Sequence, residues 1–401
     1  FAEAISLDIL CHLDLPLTHR ILFAGGKFGL LLPNVPEVHQ RIEQIRREAA
    51  EWLFERSAGS LQPAIALVPV SRDEMHQFSE CSMRLAAALR ESKNRPGEAV
   101  LIGDGRWLVD RFLLQSIPLA DGEQVCKSCE ANAAREGEMC AICEADTQRG
   151  RHLPESRIIA FYSHRSAQYE SPVGSYRLAS SERELPADAI LAFTTDGQPG
   201  ASPGMPALPA YRARYVPRAP EGDVLTFEEI AACSRGRQAL GFLKMDVDNL
   251  GHIFHSGLGN RKSISRVAAL SRTLELFFAG HLEALLRNEF GGVYLVYSGG
   301  DDLLAVGPWD VMFDLADRIR TDFRRYTGSN PAWTLSAGLA VCRCDTPVLQ
   351  AVKWAQDYLE ASKSIPGIGT LPIDFRGTGP PTKDRITAFE TSIPWDRFSQ
   401  A

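Results

Sequence analysis

The chain has 401 residues, of which 45% are hydrophobic and 23% charged, so it holds more than one typical domain and needs no disulfide staples. Its formal charge is −7, which excludes binding of nucleic acid through bulk positive charge; such contact has to come from local basic patches or partner subunits. No apolar run approaches the roughly 18 residues of a membrane span, the start Phe1-Ala2-Glu3-Ala4 carries no basic n-region, and the nine cysteines are an odd number, so no membrane and a cytoplasmic, reducing compartment are expected.

Short apolar runs at 21–23 and 28–32 flank Gly25-Gly26, which predicts a hairpin. Val38, Ile42, Ile45, Ala49 and Trp52 recur at helical spacing. A strand is expected over 64–70 and a helix through Met83 and Leu89. Residues 120–150 become rich in Cys, Glu and Ala, 151–195 read as irregular strands, and 198–220 are crowded with Pro, Gly and Ala, as in a linker. The next block is more regular. A buried strand at 240–245 precedes a long amphipathic helix over about 263–288 and a hairpin built from 293–297 and 303–306. A helix carrying Val311, Leu315, Ile319 and Phe323, a strand at 335–341 and a helix to about 362 follow. This β-α-β-β-α-β order is that of a ferredoxin-like fold.

An internal repeat links the two ends. Residues 21–34 read ILFAGGKFGLLLPN and residues 296–308 read VYSGGDDLLAVGP. Each is strand, Gly-Gly hairpin, apolar strand, then helix, so two copies of one fold are expected, with Gly25-Gly26 overlaying Gly299-Gly300. Only the second copy keeps carboxylates at its turn. The first lacks an opening strand, so the chain is expected to be part of a longer protein.

The chemistry concentrates in KMDVDNLG (244–251) and SGGDD (298–302). Asp246 ends an apolar strand, and Asp301 and Asp302 sit at the hairpin tip. The β-α-β-β order makes these places neighbours on adjacent central strands. Three or four carboxylates, counting Asp248, are expected to converge. Like charges that close repel and raise one another's pKa. Divalent cations such as Mg²⁺, bound through carboxylates and phosphate oxygens, resolve the repulsion. Two ions roughly 3.5–4 Å apart lower the barrier for in-line attack at phosphorus. Gly299 and Gly300 let a nucleotide approach the backbone. A plain acidic surface turn is the bland alternative; the paired acidic strand end argues against it.

Cys126-x-x-Cys129 and Cys140-x-x-Cys143 present four thiolates in two turns, a pattern that suits a structural Zn²⁺. Cys11, Cys81, Cys233, Cys342 and Cys344 read as packing residues. His252 and His255 read as surface or packing residues, and Asn260-Arg261-Lys262 as a solvated helix start.

Residues 223–375 resemble the second palm domain of the large subunit of type III-A CRISPR effector complexes. The matching text is MDVDNLGHIF, SRVAALSRTLELFFAGHLEALL, VYSGGDDLLAVGPWDVMFDLADRI, TLSAGLAVC and AVKWAQDYLEASK. The segment LFAGGKFGLLLPN resembles that family's first palm, whose turn lacks the acidic pair. The resemblance implies an α+β chain of two ferredoxin-like, nucleotidyl cyclase-like palm domains joined by a zinc-binding insert. Its parts would be a first palm at 1–118, a zinc-binding and linker region at 119–222, a catalytic palm at 223–378 and a tail at 379–401. It further implies a pseudo-dimer of palms that binds two ATP molecules and makes cyclic oligoadenylate.

Carried over residue by residue, Asp246, Asp301 and Asp302 would hold two Mg²⁺ or Mn²⁺ ions. The backbone of Val247, Asp248 and Asn249 would lie along the triphosphate, and Lys363 would neutralise phosphate charge. Gly25 and Gly26 would line the acceptor ATP, with Ser298, Gly299, Gly300 and Ser265 as further nucleotide contacts. Implied partners are the other type III-A subunits, guide crRNA and target RNA. Two departures stand out. No His-Asp dipeptide occurs, so no DNase activity is expected. The chain also stops soon after Trp395-Asp396, where the family carries a helical domain. A diguanylate cyclase shares the palm fold but reads GGDEF or GGEEF and lacks a zinc insert. A non-catalytic scaffold for guide RNA and sister subunits is the other alternative.

Overall fold

The computed structural model describes residues 1–24, 26–57, 59–103, 105–112, 119, 123–130, 132–134, 137–165, 167–186, 188–200, 207–259, 262–364 and 383–398. These form two compact units, one of Phe1–Ala210 with His255–Ala268 and one of Tyr211–Phe254 with Ala269–Ala401. Among the described residues no helix is long and apolar enough to cross a membrane.

In the first unit, α1 (Ala2–His12) precedes a hairpin of β1 (Arg20–Ala24) and β2 (Lys27–Leu30), then α2 (Pro36–Ser57). The helical-period residues Val38, Ile42, Ile45 and Ala49 of α2 pack on Ile5 and Ile9 of α1. Ala24 pairs with Lys27, which closes the hairpin, and Gly26 takes a left-handed φ of +73°. Gly25 lies outside the described residues.

The strand expected at 64–70 does not form: residues 61–70 carry no regular structure. Pro63 and Pro69 remove ladder donors there, and arginines take up two of the carbonyls. Arg46 donates to Ile65 O at 2.8 Å and Arg84 to Pro69 O at 2.7 Å. The expected helix through Met83 and Leu89 is α3 (Ser79–Lys93).

Two minimal strands, β3 (Gln124–Val125) and β4 (Ala133–Ala134), and α4 (Ala141–His152) carry the cysteine segment. The region read as irregular strands is a regular sheet. It comprises β5 (Ile158–Tyr162), β6 (Tyr169–Ser171), β7 (Gly174–Ala179), β8 (Leu191–Thr194) and β9 (Ala207–Pro209), in the order β9-β8-β5-β7-β6. The last of these strands falls inside the expected linker.

In the second unit, β10 (Leu240–Val247) leads to the long helix, which is α5 (Ile264–Glu275, whose residues up to Ala268 belong to the first unit) and α6 (Leu282–Glu289) joined by a π-helical turn at Leu276–His281. Then come β11 (Tyr294–Gly299), β12 (Asp302–Pro308), α7 (Trp309–Tyr326), β13 (Leu335–Cys342), α8 (Val348–Lys363), β14 (Arg385–Ala388) and β15 (Thr391–Pro394). The six-stranded sheet runs β11-β12-β10-β13-β14-β15. Its first four strands are mutually antiparallel and ordered as in a ferredoxin-like fold. Residues 385–394, read as part of a tail, continue this sheet: β14 pairs parallel with β13 and antiparallel with β15.

Strand alternation divides the core. Leu243, Met245 and Val247 face α6 and α7 through Leu282, Leu285, Met312, Leu315 and Ile319. Leu240 and Phe242 face the other way, with Ala340 and with Ala351 and Ala355 of α8. Gly338 of β13 sets how close α8 comes, because a Cβ there would overlap the Ala355 carbonyl and the Leu359 amide. This close seating delivers the end of α8, Lys363, to the end of β10.

Candidate active site

Asp246 follows Phe242 and Lys244 on the α8 side of β10 by period-2 alternation. In the β10–β12 register it stands directly opposite Asp302. Like charges in that position destabilise a sheet unless a cation answers them. Gly299 pairs with Asp302, which leaves Gly300-Asp301 as the turn. Gly300 has φ +73° and Asp301 no positive φ, the pattern of a type II′ hairpin with Gly in first place. The Val247 N–H donates to the Asp301 carbonyl at 3.0 Å, pinning the acidic turn to the end of β10. A Cβ at Gly299 would meet nothing within 4 Å, so the hairpin opens onto free space.

The turn differs from the one at residues 25–26 by one position. Measured from the paired residues, Gly26 takes the place of Asp301 and Lys27 that of Asp302. The overlay of Gly25-Gly26 on Gly299-Gly300 is therefore shifted by a residue in pairing register.

Each acid has a partner. The Lys363 ammonium donates to Asp246 Oδ2, and the Tyr297 hydroxyl to Asp302 Oδ2 at 3.2 Å. Burial pushes the Tyr297 phenol up, and Asp302 and Asp301 add to the shift. Burial, with Lys383 and Lys244 as like charges, brings Lys363 down to about 8, which leaves it cationic at neutral pH.

Asp248 is held by other partners. It is fully buried, and its carboxylate accepts from Thr334 Oγ1 and Ser336 Oγ, both at 2.7 Å, and from the Asp384 N–H at 3.1 Å. Burial pushes its pKa up, while these donors oppose the shift. Its N–H donates to the Thr334 carbonyl at 2.9 Å. Contact of a phosphate with the Val247 and Asp248 amides would thus require both to give up present partners. Asn249 has a left-handed φ of +56° and accepts from Lys383 Nζ at 2.7 Å.

Ser298 is turned away from the hairpin tip: its hydroxyl donates to the Phe278 carbonyl, in the π-helical turn, at 2.5 Å. Ser265 lies in the first unit, its hydroxyl 3.0 Å from that of Ser263. Lys244, Tyr297 and Lys383 were missed. Period-2 alternation from Asp246 pointed to Lys244. Lys383 arrives from a segment without a motif.

The Sγ atoms of Cys126, Cys129, Cys140 and Cys143 all lie within 4.8 Å of one another. A tetrahedral zinc with ligands at about 2.3 Å spaces its sulfurs about 3.8 Å apart, and Cys129 and Cys140 are 3.8 Å apart. Against the burial penalty, backbone N–H groups of Cys129, Cys140 and Ser128 bring Cys126 down to about 6, whereas burial pushes Cys143 up to about 12. Four thiolates held this close need a cation to offset their mutual repulsion. Among the described residues no acidic group closes up in this way.

The family model "Cas10/Cmr2, second palm domain" matches residues 239–368, and "Csm1 subunit domain B" matches residues 1–98. The subtype III-A Cas10/Csm1 protein of Thermococcus onnurineus, named a single-strand-specific deoxyribonuclease, is 30% identical over 390 residues, covering 89% of this chain and 48% of that protein. The Mycobacterium tuberculosis protein of the same name is 27% identical, with 90% and 48% covered. The chain belongs to the Cas10/Csm1 family. It spans about half the length of these curated relatives. Among solved structures, the Csm1-Csm4 subcomplex of the type III-A interference complex superposes with TM-score 0.77 at 25% identity, covering 100% of this chain and 52% of that one. A Csm1-Csm4 cassette in complex with cA4 gives 0.71 at 26% identity, with 90% and 48% covered. The Cas10 palm match falls on β10 through α8, the elements that carry Asp246, Asp302 and Lys363.

Proposed function

We propose that this Cas10/Csm1-family chain joins ATP into cyclic oligoadenylates by two-metal nucleotidyl transfer within an RNA-guided type III-A effector complex in the cytoplasm. The observation that carries the reading is the direct opposition of Asp246 and Asp302 beside the glycine-rich turn. A like-charge pair there has a use only when it binds cations. The related cassette in complex with cA4 supports the product class. The related subcomplex supports partnership with other effector subunits, and through them with guide and target RNA.

Asp246, Asp301 and Asp302 would hold two Mg²⁺ or Mn²⁺ ions, which when bound supply charge neutralisation at phosphorus and activation of a 3′-hydroxyl. In each cycle the 3′-oxygen bonds to the α-phosphorus of a second ATP, the bond to pyrophosphate breaks, and the hydroxyl proton leaves to solvent. Closure repeats that exchange within one oligomer. Gly299 and Gly300 admit the nucleotide, Tyr297 orients the Asp302 carboxylate, and Lys244, Lys363 and Lys383 offset the charge of the triphosphate and of the departing pyrophosphate. The four cysteines hold a structural zinc.

The test is radiolabelled ATP given to the assembled, target-bound complex with Mg²⁺ or Mn²⁺, comparing wild type with D301A/D302A. Loss of the metal-held transition state costs several kcal/mol, so synthesis should fall on the order of a thousandfold or more, with guide-RNA binding unchanged. Equal product from both complexes, or a preference for GTP, contradicts the reading.

A further inference from the structure

Two carboxylates oppose each other at this site, and one cation already answers them. Lys363 donates to Asp246, and the two side chains are only 23% and 24% exposed, so this is not a wandering surface contact. The lysine arrives by rigid backbone, since Gly338 seats α8 on the sheet and α8 ends at Lys363. Nearby cations are differently engaged or placed: Lys383 is bonded to Asn249, and Lys244 lies two residues before Asp246 on its own strand. Asp302 accepts from a neutral hydroxyl, that of Tyr297.

We infer that Lys363 is a placeholder cation. It occupies Asp246 while no divalent ion is bound, competes with the ion for that carboxylate, and is released by it to face phosphate oxygens. The inference rests on the metal reading above. It differs from a plain phosphate-binding or structural role, because neither of those opposes metal binding. Removing the ammonium leaves the facing carboxylates unbalanced. That weakens the metal-free fold and strengthens the demand for a divalent ion.

The test is a titration of the full chain with Mn²⁺ alone, without nucleotide, read as the electron paramagnetic resonance signal of free Mn²⁺. Lys363→Met should bind more tightly than wild type, on the order of tenfold, and Lys363→Arg should bind as wild type does. Mn²⁺ should also raise the melting temperature of Lys363→Met more than that of wild type, a readout independent of turnover. Equal or weaker affinity in Lys363→Met, or no Mn²⁺ bound by either protein, overturns the inference. Asp246→Asn separates the two claims. Undiminished binding by that variant contradicts the metal reading itself, whereas binding that needs Asp246 but ignores Lys363 removes the placeholder alone.

Discussion

Asp248 and Asp302 are both acidic residues near the end of β10, and their surroundings assign them opposite work. Asp248 is enclosed by three donors, so its loss strands two hydroxyls and an amide in the interior. Asp248→Ala should cost about 3 kcal/mol and lower the melting temperature clearly. Asp302→Ala should leave it unchanged or raise it in metal-free buffer, because it removes one side of a like-charge pair. Thermal melts of the two variants decide the matter, and equal destabilisation contradicts this division of roles. The distinction was not legible in the sequence. Period-2 alternation puts Asp246 and Asp248 on one face, and the partners that bury Asp248 come from Thr334 and Ser336 on β13 and from Asp384.

At the scale of elements, what was readable followed from local rules. The Gly-Gly hairpin, the apolar alternation of β10 and the helical spacing of α7 each sit within one short stretch. The misread elements depended on less local features. Residues 64–70 look like a strand until Pro63 and Pro69 are counted as missing donors. The strands of the β5–β9 sheet are short, 3 to 6 residues each, too short for a period to stand out. The cysteine segment was readable through its doubled spacing. Its apolar support is slight: Cys126, Ala134 and Cys140 form its buried cluster. Metal binding should therefore supply much of its folding energy. Metal analysis of the purified protein should find one zinc per chain. Removal of zinc by a chelator should expose residues 123–152 to protease while the second unit stays folded. Well under one zinc per chain without chelator exposure contradicts the assignment.

For the molecule as a whole, the two units carry different burdens. The second unit holds the carboxylates and the full ferredoxin-like strand order. The first holds a related hairpin without acids, together with the cysteine cluster and the five-stranded sheet. With a net charge of −7, the chain offers RNA no bulk positive charge, so the target recognition proposed above would fall to local patches and partner subunits. The hairpin acids are proposed to turn ATP into rings. The most direct measurement is mass spectrometry of the products that the target-bound complex makes from ATP with Mn²⁺. The expected products are adenylate oligomers lacking a terminal triphosphate, with one pyrophosphate released for each ATP consumed. Absence of any oligomer, or rings built from GTP when both nucleotides are supplied, would contradict it.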